Sequence, residues 1–310
     1  MTIWNIVSQR TIFEFITNSF TFITTDHEMG ITDIPPPHVP SWVVPASAGL
    51  LIAGVLCWDV AYILLVRRSL ATKSSGMPLL ALAANVSWEI VYALMVADHP
   101  LEQLGFLAWL ILDIPVVVAT VRAARHDWAH APLVARNYTA ILGGMLAVGC
   151  AGNWAFASWW LEAPGRGTGD KTGKWWQGVE GFDCTELAFW TAGVAQLAVG
   201  SGSVALLLSR GHSGGATFGI WLSRALGTIL GLIGSSALLW FYWPEAHGYF
   251  THPFAVFLMA TCVGCDAAYP FVLARVRATE RELPDGRLVA GDRDEGEDAA
   301  GTAIRKERRD

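Results

Sequence analysis

The chain has 310 residues, 53% of them hydrophobic and only 15% charged, where a soluble domain carries roughly a quarter charged residues. Mean hydropathy is +0.40 and the net charge of −6 comes mostly from loops and termini. This composition argues against a soluble domain, the lack of a dense basic patch against a nucleic-acid partner, and five cysteines set mostly in apolar stretches against a disulfide framework.

Residues 1–41 hold an aromatic-rich stretch (Ile12, Phe13, Phe15, Phe20, Phe22) and then Pro35, Pro36 and Pro37. They read as an amino-terminal lumenal segment. An interfacial helix there would lack a basic face, and no small-residue cleavage site follows an apolar core, so a signal peptide is not expected. Seven apolar segments follow, at about Trp42–Val66, Pro78–Ala97, Leu101–Ala123, Tyr138–Leu161, Thr185–Ser209, Thr217–Trp243 and Pro253–Ala274. Each is long enough to span a bilayer, which takes about 20 apolar residues, and backbone in lipid must be helical to satisfy its own polar groups. The fold class is therefore all-α: a polytopic membrane protein with a seven-transmembrane-helix bundle over residues 42–276. Residues 277–310 are charged and Gly-rich, and a cytosolic, disordered tail is expected.

Arginine and lysine set the orientation. Arg67, Arg68 and Lys73 lie in the first loop, Arg122, Arg125 and Arg136 around the third, Arg210 in the fifth, and Arg275, Arg277 and Arg281 open the tail. The second loop carries Asp98 and Glu102, the sixth Glu245, His247 and His252, and the fourth dilutes Arg166, Lys171 and Lys174 with acids. By the positive-inside rule the amino terminus is lumenal and the carboxyl tail cytosolic.

The informative residues are those a bilayer should exclude. Asp59, Glu89, Asp113 and Asp266 sit inside predicted spans, and Arg224 lies in the sixth. An intramembrane ionisable group is costly unless it faces the protein interior, so each is a functional candidate. Counted from the cytosolic helix ends at about 1.5 Å per residue, Asp59, Asp266 and Arg224 fall at roughly 10–12 Å, and Glu89 and Asp113 at roughly 15–16 Å. Five helices thus place an ionisable group in one layer. Asn85, Glu89 and Tyr92 share one helical stripe, as do Cys262, Asp266 and Tyr269. A carboxyl in a dry pocket is a competent general acid; the structural alternative is that the acids tie helices together, Asp266 to Arg224 for instance. Of the fifteen tryptophans, Trp42, Trp175, Trp176 and Trp243 fit an interfacial belt, while Trp58, Trp88, Trp109, Trp154 and Trp221 fall within spans. Aromatic faces stabilise cations, although interior packing is the commoner use. Cys262 and Cys265 form a CxxC inside a span and read as small packing residues.

The stretch ALAANVSWEIVYALM (81–95) resembles the N-x-[AS]-W-E motif of the integral-membrane terpene cyclases of fungal meroterpenoid and indole-diterpene pathways, above all the paxilline-pathway type. DWAHAPLV (127–134), RGHSGGATFGIWLSRALG (210–227) and CDAAYPFVLARV (265–276) agree in order and spacing, so the resemblance covers about residues 45–276. It implies a compact seven-helix cyclase that protonates a terminal epoxide (or olefin) on a prenylated aromatic, indole or other polyprenyl substrate. The family's two essential acids map to Glu89 and Asp266, the catalytic candidates. Asp59, Asn85, Trp88, Tyr92, Asp113, Arg224 and Tyr269 are the supporting or substrate-binding candidates. The resemblance further implies a lipophilic epoxyprenyl substrate, an upstream epoxidase and prenyltransferase in the same membrane, and an endoplasmic-reticulum location.

No cofactor or metal is expected, since a diphosphate-ionising cyclase would need an Asp-rich magnesium cluster that the sequence lacks. The chain departs from the family in its longer amino-terminal segment, its Gly/Trp-rich fourth loop, its charged tail, and Asp59 and Asp113 where neutral residues are expected. The rival reading is a seven-helix transporter or proton-coupled carrier using the acidic layer as a relay. A retinal receptor would need a lysine in the last span, and residues 253–274 contain none. An isomerase or nonproductive paralogue on the same fold stays open.

Overall fold

The computed structural model describes residues 33–98 and 100–291. The amino-terminal aromatic stretch and the end of the charged tail lie outside these residues. Among the described residues, seven helices are long and apolar enough to cross a membrane, as expected from the sequence. α1 is Val43–Thr72 and α2 is Leu79–Val91, which runs into a π-helical turn at Tyr92–Val96. α3 is Pro100–Asp127, α4 Pro132–Trp160 and α5 Cys184–Arg210. The sixth span joins α6 (Phe218–Gly227) and α7 (Ser235–Tyr242) through a π-helical segment, Thr228–Gly234. A short α8 (Pro244–His247) precedes α9 (Pro253–Thr279).

Several helices outrun their apolar segments. α1 continues through Arg67 and Arg68 to Thr72, and α9 through Arg275 and Arg277 to Thr279. Hydropathy marks the hydrocarbon slab, but a helix ends where its backbone finds a cap, here Lys73 in the left-handed region with φ 53°.

α2 is the central helix. It packs against α3, α4 and α5, α1 lies along the sixth span and α3, and α9 lies along α5. The most apolar stretch of α2 is 56% buried, against 11% for α4. Peripheral helices instead turn large apolar side chains outward, such as Val148 at 74% and Phe271 at 78% exposure. Such a surface would promote aggregation in water and is what lipid requires. The protein is a multi-pass integral membrane protein. A central helix is screened from lipid by its neighbours, which is why α2 can carry Asn85, Ser87 and Glu89.

Small residues set the closest approaches. A Cβ built on Gly54 of α1 would lie 2.5 Å from Cα of Gly231 in the sixth span, so the two backbones are in direct contact there. At the arginine-rich end, a Cβ on Gly76 would lie 2.5 Å from the carbonyl oxygen of Gly215, which joins the first and fifth loops. The same loops are locked by Arg210, whose guanidinium reaches Asp127 at 2.9 Å and the Ser75 carbonyl at 2.6 Å. Asp127 also accepts from the Ser75 amide at 2.8 Å and the Ser74 hydroxyl at 2.7 Å.

The tail differs from expectation at its start. Arg281–Glu282 (β3) pairs with Leu288–Val289 (β4) in an antiparallel hairpin, following the small β1–β2 ribbon of the fourth loop (Trp175–Trp176 with Val179–Glu180). The hairpin is held because Glu280 accepts from the Ser213 amide and hydroxyl, Lys73 donates to the Asp285 carbonyl, and Leu288 is buried. Residues 277–291 are therefore ordered where a disordered tail is expected from residue 277, and the rest of that tail lies outside the described residues.

At the opposite end, the fourth loop buries its two lysines rather than exposing them. Lys171 Nζ donates to Asp183 at 2.8 Å and Glu186 at 2.6 Å, and Lys174 pairs with Asp33 and, at 3.5 Å, with Asp183. Burial disfavours the Asp183 carboxylate, but Lys174 and Lys171 outweigh it and bring its pKa down to about 2. Burial, reinforced by Lys174, brings His247 down to about 2 as well, so its imidazole is neutral when folded; its Nδ1 lies 2.9 Å from the Tyr249 hydroxyl.

Two predictions follow from this packing. Unfolded, His247 titrates near 6.5 and Asp183 near 3.8. His247 therefore withdraws stability as the pH falls below 6.5, because only the unfolded chain takes up its proton. The Asp183 contribution is complete above 3.8 and is lost as the pH falls towards 2. Thermal unfolding of detergent-purified protein should shift to lower temperature between about pH 7 and pH 5, and His247→Gln should flatten that dependence; an unchanged slope would refute the assignment. Separately, Gly54→Leu should cost about 1–3 kcal/mol by forcing α1 off the sixth span, read as a lower unfolding midpoint, while Gly49→Leu, where a Cβ meets nothing, should not.

Candidate active site

Among the described residues, the bundle interior holds two separate polar groups built around ionisable side chains. The first is centred on α2. Asn85 Nδ2 lies 2.8 Å from Glu89 Oε1, 3.0 Å from Asp113 Oδ2 of α3 and 2.7 Å from the Tyr62 hydroxyl of α1. Tyr62 in turn donates to Glu89 Oε1 at 3.2 Å. Glu89 and Asp113 are each 1% exposed, and Tyr62 is 3% exposed. Glu89 Oε2 and Asp113 Oδ1 are buried without an N–H or O–H donor. Among the described residues, no lysine or arginine pairs with either acid.

The second group joins α5, α6 and α9. Arg224 Nη2 donates to Asp266 Oδ1 at 2.8 Å and Nη1 to the Ser203 hydroxyl at 2.7 Å. The guanidinium lies 5.0 Å from the Tyr269 ring centre, and Trp221 Nε1 donates to the Asp266 carbonyl at 2.7 Å. Asp266 is thus charge-compensated where Glu89 is not.

The layer read from the sequence therefore divides in two. Glu89 meets Asp113 and Asn85, and Asp266 meets Arg224 and Tyr269, but no hydrogen bond among the described residues joins the groups. Asp59 stands in neither; its Oδ1 is buried without a partner. Trp88 and Tyr92 are tied down by their polar ends. Trp88 Nε1 donates to Thr191 Oγ1 at 2.9 Å, the Tyr92 hydroxyl lies 2.6 Å from the same oxygen, and Thr191 donates to the Leu187 carbonyl at 2.8 Å. With its hydrogen engaged, Thr191 accepts from both rings on its two lone pairs. The rings also pack with Phe106 and Trp109 at centroid distances of 4.7–6.1 Å, forming an aromatic wall one turn from Glu89.

Sequence reasoning missed Tyr62, Ser203 and Thr191. Each is an ordinary residue for a membrane helix, and only the partner across the interface gives it meaning. Tyr62 sits three residues after Asp59 on α1, which is the one signal that could have singled it out. Both polar groups lie beside a π-helical segment, Tyr92–Val96 after Glu89 and Thr228–Gly234 after Arg224. Such widened turns are frequent at functional sites.

No solved structure matches the chain. It is 42% identical over 261 residues to the terpene cyclase ascF of Acremonium egyptiacum, covering 84% of this chain and 93% of that protein. It is 32% identical to the terpene cyclase macJ of Penicillium terrestre, covering 75% and 82%, and 32% identical to the terpene cyclase pyr4 of Aspergillus fumigatus, covering 74% and 86%. The family model of Pyr4-like transmembrane terpene cyclases matches residues 32–279, which takes in all seven spans and both polar groups, and the chain belongs to that family.

Proposed function

We propose that this terpene cyclase acts by protonating the terminal epoxide (or olefin) of a lipophilic prenylated aromatic, indole or other polyprenyl substrate, with Glu89 as the general acid. The observation that carries this reading is the contrast between the two buried acids. Asp266 is paired with Arg224 at 2.8 Å, so its Oδ1 is committed to a cation. Glu89 is surrounded by Asn85, Tyr62 and a second carboxyl without a cation, in the central helix of an apolar bundle.

The reaction is balanced without a cofactor. Glu89 gives its proton to the epoxide oxygen as the tertiary C–O bond breaks, and the cation formed is captured by the π electrons of successive double bonds. Loss of a proton from carbon ends the cascade, so the product is an isomer of the substrate and the enzyme regains its proton. Trp88, Tyr92, Phe106 and Trp109 exclude water and present ring faces to the cation. Asp266, oriented by Arg224 and Ser203, supplies fixed negative charge to the propagating cation or returns the proton. A substrate of this kind reaches the interior laterally from lipid, and its makers, an epoxidase and a prenyltransferase, would share the membrane. By the arginine distribution the carboxyl end faces the cytosol, and the fungal relatives suggest the endoplasmic reticulum. A carrier needs a continuous relay, and the separation of Glu89 from Asp266 favours the cyclase.

The test is expression in a host lacking terpenoid pathways, fed with epoxidised geranylgeranyl-indole and epoxyfarnesyl-aryl compounds, with products followed by mass spectrometry. Wild type should yield a cyclised isomer. Glu89→Gln should reduce its formation by about 10²–10⁴-fold, the usual contribution of a general acid, and Asp266→Asn should also impair it. Absence of any cyclised isomer, with folded protein in the membrane, would overturn the reading; cyclisation that survives Glu89→Gln would overturn the choice of acid.

A further inference from the structure

The Glu89 group has too few hydrogens for its contacts. Asn85 brings two N–H and Tyr62 one O–H, yet four contacts run among Asn85, Tyr62, Glu89 and Asp113. Two further carboxyl oxygens, Glu89 Oε2 and Asp113 Oδ1, are buried with no donor at all. Asn85 Nδ2 lies 2.8 Å from one carboxyl and 3.0 Å from the other, so a single amide nitrogen gathers both. Two like charges gathered there cannot both be held in a dry site without a cation, so one of the carboxyls carries a proton.

The surroundings supply none. From α1 the facing groups are Tyr62 and, one turn away, Asp59; from α3 they are Asp113 and the Trp109 ring; on α2 itself there is Asn85. From α5 the Thr191 hydroxyl accepts from Trp88 and Tyr92 and donates to the Leu187 carbonyl rather than to Glu89, and α4 places Asn153 against Ser87 at 3.4 Å. Arg224, the arginine of the second interior group, directs Nη1 to Ser203 and Nη2 to Asp266.

We propose that Asp113 is the positioning partner of the catalytic acid: Glu89 and Asp113 share one proton, and Asn85 fixes both carboxyls so that it can be delivered. This inference rests on the cyclase reading for its role and on geometry alone for the shared proton. Before reaction the pair carries one proton and one negative charge. Transfer from Glu89 to the epoxide oxygen leaves two carboxylates facing the newly formed cation, and the pair returns to one negative charge when it regains a proton. Asp113 therefore acts at both ends of the cycle, orienting the acid and opposing the cation's charge. Asn85, donating to both carboxyls, keeps them in register.

Two measurements separate this proposal from the reading it rests on. The first needs no substrate: infrared spectroscopy of purified wild type, Glu89→Gln, Asp113→Asn and the double variant in detergent, in the carbonyl region of protonated carboxylic acids. A shared proton predicts that Asp113→Asn moves the band that Glu89→Gln removes, and that the double variant has neither. Two bands deleted independently, or a Glu89 band unmoved by Asp113→Asn, would overturn the pairing even if the enzyme cyclises its substrate. The second is kinetic, in membranes with a substrate that wild type converts. Asp113→Asn should lower kcat by at least about tenfold, a small part of what general acids contribute, with KM within about twofold, and Asp113→Glu should restore part of it. Equal kcat in wild type and Asp113→Asn, or a loss confined to KM, would refute the role. If wild type converts no substrate while the band still moves, the pairing stands and the cyclase reading falls.

Discussion

An ionisable group carried into the hydrocarbon must be satisfied by the protein, because lipid offers it neither water nor counter-ion. The interior of this bundle meets that constraint in two different ways. Arg224 and Asp266 neutralise each other as an ion pair, braced by Ser203 and Trp221. Glu89 and Asp113 have no cation and are supported by the neutral Asn85 and Tyr62. The first arrangement opposes a carboxylate with a cation, and the second sets two carboxyls against neutral donors. That difference, more than the mere presence of acids, is what the proposed role of Glu89 rests on.

The position of α2 follows from the same constraint. A peripheral helix could not carry Asn85, Ser87 and Glu89 along its length, because lipid would meet one of its faces. α2 is surrounded by α3, α4 and α5, and its polar stripe meets α1 and α3, where Tyr62 and Asp113 are waiting. On another part of its surface Trp88 and Tyr92 bond Thr191 of α5. The helix is thereby fixed in rotation by side-chain hydrogen bonds on two sides. This rigidity is what an acid needs if it is to meet a substrate oxygen within hydrogen-bond reach.

The sequence was legible wherever a single helix carries the signal. Hydropathy located every span, and the depth count placed Glu89 beside Asp113 in height and Asp266 beside Arg224. It could not say that the layer divides, because division depends on which helix faces meet across the bundle. Tyr62, Ser203 and Thr191 were invisible for that reason. Lys171 and Lys174 looked like exposed loop charges, since loop sequence alone does not reveal that Asp33, Asp183 and Glu186 converge on them. The hairpin at Arg281–Val289 was hidden by its composition: charged and Gly-rich segments read as disordered until a partner such as Ser213 or Lys73 is known.

The four segments that carry the family resemblance differ in what they do. ALAANVSWEIVYALM and CDAAYPFVLARV place Glu89 and Asp266 in the interior. DWAHAPLV supplies Asp127, and the start of RGHSGGATFGIWLSRALG supplies Arg210, which meet at 2.9 Å outside the polar groups and close the first, third and fifth loops together. Only the later part of that segment, through Arg224, returns to the interior. A motif shared across a family thus mixes chemistry with closure, and its most polar residues are not by that fact its reactive ones. Asp127 is a carboxyl like Asp266 and is as closely paired with an arginine, but it lies where loops must be joined. Asp113 belongs to none of the four segments, yet it is the residue that stands against Glu89. The partner of an acid is found by following its unsatisfied oxygens, and here they lead away from the motifs to α3.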